Sequence, residues 1–327
     1  MKTIIRTGLF LFIFFLMVTG CSKEGPVEDS DPTKQETFTK VSFAFTGEVL
    51  TIYESPLTRS TEAKDWYAFQ VYSRPEGTDD SYGYYAYGFF DNIQDMVINL
   101  KDGYEYKFDV YMLPEGSEKV GLFALVNAGW KSVDNTFHIS STESVRYMYT
   151  GYLYMIYPSS DQFDRPMVDR FFGKIEGYKP TSGGTVSINM LRTAFGAKFV
   201  ALDFTSGSLE ISVEGSANLN LNSADGSEIQ EIYSFNYPGQ AFDTTIAGGQ
   251  YSESIPVNIV WVKSDGVRVP VANESVVFKR NTLTTVEFVV QENASSSSFN
   301  LTNNEEFESG GKVQIGGDGE NTPVNPG

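Results

Sequence analysis

The feature of this chain that most constrains its fold is an alternation of apolar and polar side chains that recurs along most of its 327 residues. A period of two places successive side chains on opposite faces of an extended segment, which is the pattern of a half-buried β-strand. In the stretch YEYKFDVYML, residues 104–113, the residues that keep this period are Tyr104, Tyr106, Phe108, Val110 and Met112. In KVSFAFTGEV, residues 40–49, the apolar residues on one face are Val41, Phe43, Phe45 and Val49. No stretch keeps a helical period for more than two turns, so the sequence predicts an all-β chain.

Turn-forming residues divide the alternating stretches into two groups of about seven strands. This grouping predicts two tandem β-sandwich domains of transthyretin-like or Ig-like type. The predicted boundary lies in KPTSGG, residues 179–184, so that the domains span residues 38–182 and 183–292. Within the second domain, Asp265-Gly266 between two strand patterns predicts a tight hairpin.

The first twenty residues have the pattern of a secretory signal. Lys2 and Arg6 precede an unbroken apolar run from Leu9 to Val18. As a helix this run would rise about 15 Å, half of the ~30 Å hydrocarbon core of a bilayer. So short a run after basic residues is typical of a signal peptide rather than of a membrane span, and residues 1–20 are predicted to be removed.

The only cysteine, Cys21, follows the signal directly. The sequence VTGC that ends at Cys21 resembles a bacterial lipobox, which implies cleavage before Cys21 and acylation of its sulfur and amine. Several acyl chains make a near-permanent anchor, because each buried methylene contributes ~0.8 kcal/mol. Residues 21–37 are then a lipidated cysteine with a flexible spacer. Residues 293–327, rich in Ser, Asn and Gly, are predicted to be a mostly disordered tail, in which SFNL, residues 298–301, and KVQI, residues 312–315, could each add a short edge strand.

Composition excludes several kinds of site. With Cys21 assigned to lipid, no thiol remains for a disulfide, for catalysis or for a metal. His138 is the only histidine, so a histidine metal cluster is excluded by count and a serine triad would depend on this one side chain. Without Lys2 and Arg6 the chain carries 22 basic and 42 acidic side chains, and so negative a surface repels nucleic acid. No cofactor is expected.

Carboxylate chemistry stays open on composition alone. A glycosidase needs only two carboxyl groups about 5 Å or ~6.5–9.5 Å apart, and 42 acidic residues permit many such pairs. Asp91, Asn92 and Asp95 offer oxygen ligands for calcium, as does the segment 318–320, but each has fewer ligands than a dedicated loop. Solvated surface charge explains both patterns, so we predict neither an enzyme nor a metal site.

The most unusual internal stretch is YGYYAYGFF, residues 82–90. Aromatic side chains exposed on a strand offer flat apolar faces that can stack on sugar rings. A glycan-stacking site is one hypothesis for this stretch, and a tyrosine-rich strand whose rings lie on the sheet is the other. The residues that would stack on a glycan are Tyr82, Tyr84, Tyr85 and Tyr87.

Four motifs, in this order along the chain, resemble the fimbrillin family, the lipoprotein precursors of pili in anaerobic Gram-negative bacteria. The first is the lipobox at Cys21, and the second is SPLTRS, residues 55–60. The third is FALVNAG, residues 123–129. The fourth is the pair SINMLRTAFGAKF, residues 187–199, and VFKRNTLTTVEFVV, residues 277–290. The tail departs from the family's pattern.

The resemblance implies assembly by strand exchange. In the family, an arginine-specific protease cuts beyond the first strand, and a strand of the next subunit fills the vacated groove. The matching arginine here is Arg59, and the exchanged strand is the one that carries Val41, Phe43, Phe45 and Val49.

The function implied is that of a lipoprotein of the outer membrane, exposed on the cell surface. It would serve as a structural, anchor or tip subunit of a fimbrium, with other pilus subunits and outer-membrane lipid as partners, and would support adhesion. The alternative is a lipid-anchored protein of a polysaccharide-capture system that binds host or bacterial glycans.

Overall fold

The computed structural model describes residues 36–49, 63–119, 133–142, 153–154, 162–163, 165–180, 184–235, 251–290 and 299–306. All of these residues except Glu36 belong to one unit, Thr37–Gly327. Nearly all regular structure in these ranges is β-strand, and the prediction of an all-β chain is confirmed. None of the helices in these ranges has the length and apolar character that crossing a membrane requires.

The strands of the N-terminal half are β1 Phe38–Gly47, β2 Trp66–Pro75, β3 Gly83–Phe90, β4 Val97–Lys101, β5 Tyr104–Leu113, β6 Phe137–Ile139, β7 Leu153–Tyr154, β8 Gln162–Phe163, β9 Phe171–Tyr178 and β10 Gly184–Arg192. A 3₁₀ turn at Ile93–Asp95 precedes β4, and a four-residue helix, α1 at Gly116–Lys119, follows β5. The strands of the C-terminal half are β11 Ala194–Leu202, β12 Ser208–Val213, β13 Leu219–Asn222, β14 Glu228–Ser234, β15 Ser252–Val262, β16 Arg268–Lys279, β17 Thr282–Val289 and β18 Phe299–Glu306.

Eight of these strands form one sheet in the order β4-β1-β10-β9-β5-β2-β3-β6. Strand β1 runs parallel to β10, and every other neighbouring pair in this sheet is antiparallel. Within the ranges given above, the short strands β7 and β8 pair only with each other.

The eight-stranded sheet folds over on itself. Phe43 on β1 and Phe69 on β2 are separated by three intervening strands, yet their ring centroids lie 4.7 Å apart. Phe45 likewise stacks on Tyr67 of β2 at 5.3 Å. Contacts between strands so far apart in one sheet require its two ends to face each other across a shared apolar core. Strand β1 lies in one wall of that core.

The C-terminal half is a sandwich of two four-stranded sheets, β14-β11-β17-β18 and β13-β12-β15-β16. Phe195 on β11 contacts Phe278 on β16 across the sandwich, with ring centroids 4.4 Å apart. Alternate residues of the strands are buried, as the period of two predicts. On β12 and β15 the buried residues are Leu209, Ile211, Val213, Ile255, Val257, Ile259 and Trp261.

The change from the first sheet to the sandwich does not fall at the predicted boundary between residues 182 and 183. Strand β10 follows that boundary in the sequence but pairs with β1 and β9 in the first sheet. The change falls instead at Thr193, whose backbone N–H donates to the carbonyl of Arg170 at 2.6 Å. The alternation of β10 resembles that of β11, so only the pairing partner distinguishes the two strands. The division into two domains itself stays a prediction.

Two local predictions concern the ends of the C-terminal strands. Asp265 and Gly266 lie in the turn between β15 and β16, and Gly266 has a φ of +85°, a conformation that favours glycine. In the tail predicted to be mostly disordered, residues 299–306 form β18, which pairs with β17 at the end of its sheet. Strand β18 can pair there because the edge of β17 offers a backbone ladder, which composition alone does not reveal. The prediction for the rest of the tail stays a prediction.

Candidate functional site

Strand β1, the one predicted to be exchanged, lies inside a sheet rather than at its edge. It pairs with β10 on one side and β4 on the other, so that Val41 faces both Gly184 and Ile98. Strand β4 is the terminal strand of this sheet, and β1 is its neighbour in the sheet order. We call the space between β4 and β10 the β1 groove. Removing β1 would leave both of its walls with unpaired backbone groups.

The side chains of β1 that alternate toward the core are largely buried. Val41 and Phe43 are 0% and 5% exposed. Val49, which was predicted to lie on the same strand, is in the turn directly after β1 and is 1% exposed. Phe43 packs against the ring of Phe69 at 4.7 Å, of Phe108 at 5.1 Å and of Phe137 at 5.9 Å.

Phe45 differs from the other three, because it is only partly buried. It lies nearly parallel to the Tyr67 ring, with an interplanar angle of 4°. Val41, Phe43 and Val49 therefore pack in the core, and Phe45 packs at its edge.

Hydrogen bonds hold the beginning of β1. The Thr39 hydroxyl donates to Oδ1 of Asp102 at 2.7 Å, and the Asp102 backbone N–H donates to the carbonyl of Thr37 at 2.9 Å. Hydrogen bonds from Thr37 and Thr39 lower the pKa of the Asp102 carboxyl below its usual value. Asp102 therefore ties the start of β1 to the turn after β4.

The end of β1 is shaped by Gly47 and Glu48. Gly47 has a φ of +83°, and a Cβ at this position would meet Oδ1 of Asn189 at 2.1 Å. A larger residue would be strained here by both its backbone conformation and its contacts. The next residue, Glu48, donates its backbone N–H to the carbonyl of Met190 at 3.0 Å, which extends the pairing of β1 with β10.

The Glu48 carboxylate binds the guanidinium of Arg280, which follows β16, and the backbone N–H of Arg192 at the end of β10. Oε2 accepts hydrogen bonds of 2.6 Å from Nη1 of Arg280 and of 2.6 Å from the backbone N–H of Arg192. Oε1 accepts a second bond from Nη2 of Arg280 at 3.1 Å. We call this arrangement of the Glu48 carboxylate, the Arg280 guanidinium and the Arg192 backbone N–H the Glu48 site.

The Glu48 site is nearly closed to solvent. The Arg280 side chain is 6% exposed and the Glu48 side chain 27% exposed. Nη1 of Arg280 also donates to the carbonyl of Arg192 at 2.9 Å, which fixes the guanidinium over the junction of β10 and β11. A charge-assisted pair with two hydrogen bonds at such a position is strong and directional.

A second buried ion pair continues from the Glu48 site. The Arg192 guanidinium forms a bidentate pair with the Asp169 carboxylate, with Nη2 to Oδ2 at 2.9 Å and Nε to Oδ1 at 3.0 Å. Its Nη1 donates to Oδ1 of Asn281 at 3.1 Å. The two pairs join the end of β1, the segment before β9 and the turn between β16 and β17.

Sequence reasoning missed Glu48, Arg192, Arg280 and Asp169. Glu48 and Arg280 are 232 residues apart, and no local pattern connects them. One signal was present: Arg192 and Arg280 lie in the two halves of the fourth motif that resembles the fimbrillin family. Basic residues in two paired strand motifs of an acidic chain suggest a shared carboxylate partner.

Two predicted residues lie outside the described residues, namely the lipidated Cys21 and the cleavage residue Arg59. In the sequence Arg59 stands between the end of β1 at Gly47 and the start of β2 at Trp66. Hydrolysis of the single peptide bond after Arg59 would therefore break the covalent link between β1 and the rest of the body.

The four tyrosines proposed to stack on a glycan do not share one exposed face. Tyr87 is 5% exposed and lies against the ring of His138 at 5.1 Å. Tyr85 packs edge-on against Tyr106. The Tyr82 hydroxyl accepts a hydrogen bond from the backbone N–H of Gly177 at 3.1 Å.

Tyr84 is the most exposed of the four tyrosines, at 38%, and it stacks on Tyr72. The four are divided in this way because a β-bulge between Val71 and Tyr72 shifts the register of β2 and β3.

We predict that replacing Tyr84 by alanine will leave the migration of the protein in polysaccharide-containing gels unchanged. The reason is that a single exposed ring offers too little surface to retard the protein. The measurement is affinity electrophoresis, with bovine serum albumin as the reference for non-specific retardation. A loss of retardation in this variant alone would show that Tyr84 binds glycan.

His138 and the acidic candidates have structural partners. Nε2 of His138 lies 2.7 Å from Oδ2 of Asp134. Asp91 forms an ion pair with Lys64 at 2.8 Å, and Asn92 caps the 3₁₀ turn by accepting from the N–H of Gln94. Within the described part of the chain, no group of three or more His, Cys, Asp or Glu side chains is arranged to hold a metal ion.

No protein-family model matches the chain, and no curated protein sequence matches it. Among solved structures, the chain is similar to the tip fimbrial protein of Porphyromonas gingivalis with a C-terminal truncation. The two are 9% identical with a TM-score of 0.34, over 81% of this chain and 99% of that chain.

The fimbrial anchor protein of Porphyromonas gingivalis is 8% identical with a TM-score of 0.36, over 84% of this chain and 100% of that one. A fimbrial assembly protein from Parabacteroides distasonis is 10% identical with a TM-score of 0.34, over 82% of this chain and 96% of that one. At these scores the likeness carries no argument about what this chain does.

Proposed function

We propose that this chain is a surface-anchored fimbrial subunit that supports adhesion and assembles by exchange of β1. Cys21 carries the lipid that anchors it to the outer membrane, and a cut after Arg59 frees β1. The observation that supports this proposal best is the position of β1. It is the first strand of the body, yet it lies inside a sheet and contributes buried residues to the core.

The energetics of β1 suit a displaceable strand. Three fully buried apolar side chains at ~1.5–3 kcal/mol each contribute roughly 5–9 kcal/mol. A whole domain is stable by only ~5–15 kcal/mol. A body that has lost β1 is therefore close to unfolding, and a strand from another subunit would restore both the apolar contacts and the backbone hydrogen bonds.

The covalent link between β1 and the rest of the body acts as the switch. While β1 remains attached, its effective concentration at its own groove is far higher than that of any strand from another subunit. A cut removes this advantage, since the freed strand can diffuse away after it dissociates. Because peptide hydrolysis is not reversed under these conditions, assembly proceeds in one direction.

We expect an arginine-specific protease to cut residues 22–327 first after Arg59 and the cut protein to form laddered oligomers. The ladders are read on gels of unheated samples, and mass spectrometry identifies the cut. The matched control is Arg59→Lys, which keeps the charge but is not a substrate of the protease. That variant should remain intact at this position and monomeric. Cut protein that stays monomeric would contradict strand exchange, and ladders from the lysine variant would contradict the assignment of Arg59.

A further inference from the structure

The Glu48 site joins a part of the chain that would leave on strand exchange to parts that would stay. Glu48 precedes Arg59 and would depart with β1, whereas Arg280 and Arg192 belong to strands and turns of the remaining body. The departing carboxylate accepts three hydrogen bonds from these two residues. In the intact chain the Arg280 side chain is 6% exposed, and the departure of Glu48 would remove the carboxylate that neutralises its guanidinium.

A buried cation that loses its counter-charge is strongly destabilising. The chain as a whole is acidic, with a net charge of −18, but the end of the β1 groove carries the positive charge of the Arg280 guanidinium. A replacement strand that filled only the apolar positions would therefore leave the groove electrostatically incomplete.

We propose that Arg280 and the backbone N–H of Arg192 form a carboxylate-binding site at the end of the β1 groove, and that the strand replacing β1 must present an aspartate or glutamate there. The ligand is a side-chain carboxylate carried by an extended strand with alternating apolar residues. This inference rests on the proposed function for its biological meaning, but the site itself can be tested in the intact chain.

A second copy of the chain contains a segment whose sequence has this pattern. Residues 41–48 read VSFAFTGE and residues 313–320 read VQIGGDGE. Both segments begin with valine, have a large apolar residue at the third position and end in Gly-Glu. Ile315 corresponds to Phe43 and Glu320 to Glu48. At the fifth position Gly317 replaces Phe45, the least buried of the four apolar residues of β1.

The first test uses the intact chain and acetate as the probe. Glu48→Ala removes the carboxylate and leaves space beside Arg280. We expect sodium acetate to raise the melting temperature of this variant by roughly 2 °C more than the same concentration of sodium chloride. The wild type and the double variant Glu48→Ala/Arg280→Met should show no such difference. Equal effects of the two salts on Glu48→Ala would overturn the carboxylate site. Because no cleavage is involved, this test does not depend on strand exchange.

The second test measures binding of a synthetic peptide of residues 311–322 to protein cut after Arg59. Replacing Glu320 by Gln in the peptide should weaken binding about tenfold or more, because one partner of a buried charge pair is lost. Replacing Asp318 by Asn is the matched control and should change binding little. Protein with Arg280→Met should no longer distinguish the native peptide from the Glu320→Gln peptide.

Each failure in the second test has its own meaning. Equal binding of the native and Glu320→Gln peptides would overturn the requirement for a carboxylate. A peptide that does not bind to protein that forms ladders would overturn residues 313–320 as the replacing strand. Protein that forms no ladders at all would contradict the proposed function, while the acetate result would still decide the carboxylate site.

Discussion

Replacing Phe43 by alanine will lower the free energy of unfolding by about 3–5 kcal/mol. Phe43 is 5% exposed and its ring contacts three other aromatic rings, so its removal leaves a cavity that the folded sheet cannot fill. The measurement is urea unfolding followed by tryptophan fluorescence.

The same strand offers the matched control. Phe38 lies at the beginning of β1 and is 54% exposed, so Phe38→Ala should change the free energy of unfolding by less than about 1 kcal/mol. A Phe43→Ala variant as stable as Phe38→Ala would show that β1 contributes little to the core. The proposal that β1 completes and stabilises the first core would then be wrong.

Replacing Asp169 by asparagine will destabilise the protein by about 3–5 kcal/mol, because the buried Arg192 guanidinium loses its counter-charge. The two side chains are 9% and 7% exposed, and they share a bidentate pair. Asparagine keeps the size of the side chain, so that the effect reports the charge rather than packing. Chemical unfolding at two salt concentrations measures it.

A second arginine–carboxylate pair provides the comparison for Asp169. Arg268 and Glu210 also form two hydrogen bonds, at 2.7 Å and 2.5 Å, but the Arg268 side chain is 56% exposed. The hydrogen bond from Arg268 lowers the pKa of the Glu210 carboxyl. Glu210→Gln should nonetheless have little effect, since solvent and salt screen an exposed pair. An equal loss of unfolding free energy in the two variants would show that burial does not make the Arg192–Asp169 pair more stabilising than an exposed pair.

The Phe43 and Asp169 variants test two parts of the structure around β1. Phe43 tests whether β1 stabilises the first core. Asp169 tests whether the junction of β10 and β11, which carries the Arg192 N–H of the Glu48 site, is held by a buried charge pair. If both results are as expected, β1 is important to the stability of the fold, and a charged site lies at the end of the β1 groove.

The sequence predicted the strand β1 and its buried face correctly in outline, because alternation is a local property. Residues 41, 43 and 49 are buried as the period of two requires. The same reasoning predicted β5 over residues 104–113, where the structure places it. It also predicted the turn at Asp265-Gly266, whose signal is contained in two residues.

The tyrosine stretch shows where local reasoning stops. A bulge in the pairing of β2 with β3 decides which face each ring occupies, and a bulge depends on two strands at once. The sheet to which β10 belongs could not be predicted from its sequence for a related reason. Strand β10 joins the first sheet through its pairing with β1, and the sequence of β10 alone does not predict which strand it pairs with.

By itself the sequence determined that the chain is built of strands, and which side chains of β1 face the core, because both follow from the spacing of neighbouring residues. Only the tertiary structure decided that β1 lies between β4 and β10 and that Glu48 binds Arg280. Those arrangements bring together segments far apart in the chain, and all strands with the same alternation are equivalent until the backbone ladder selects their partners.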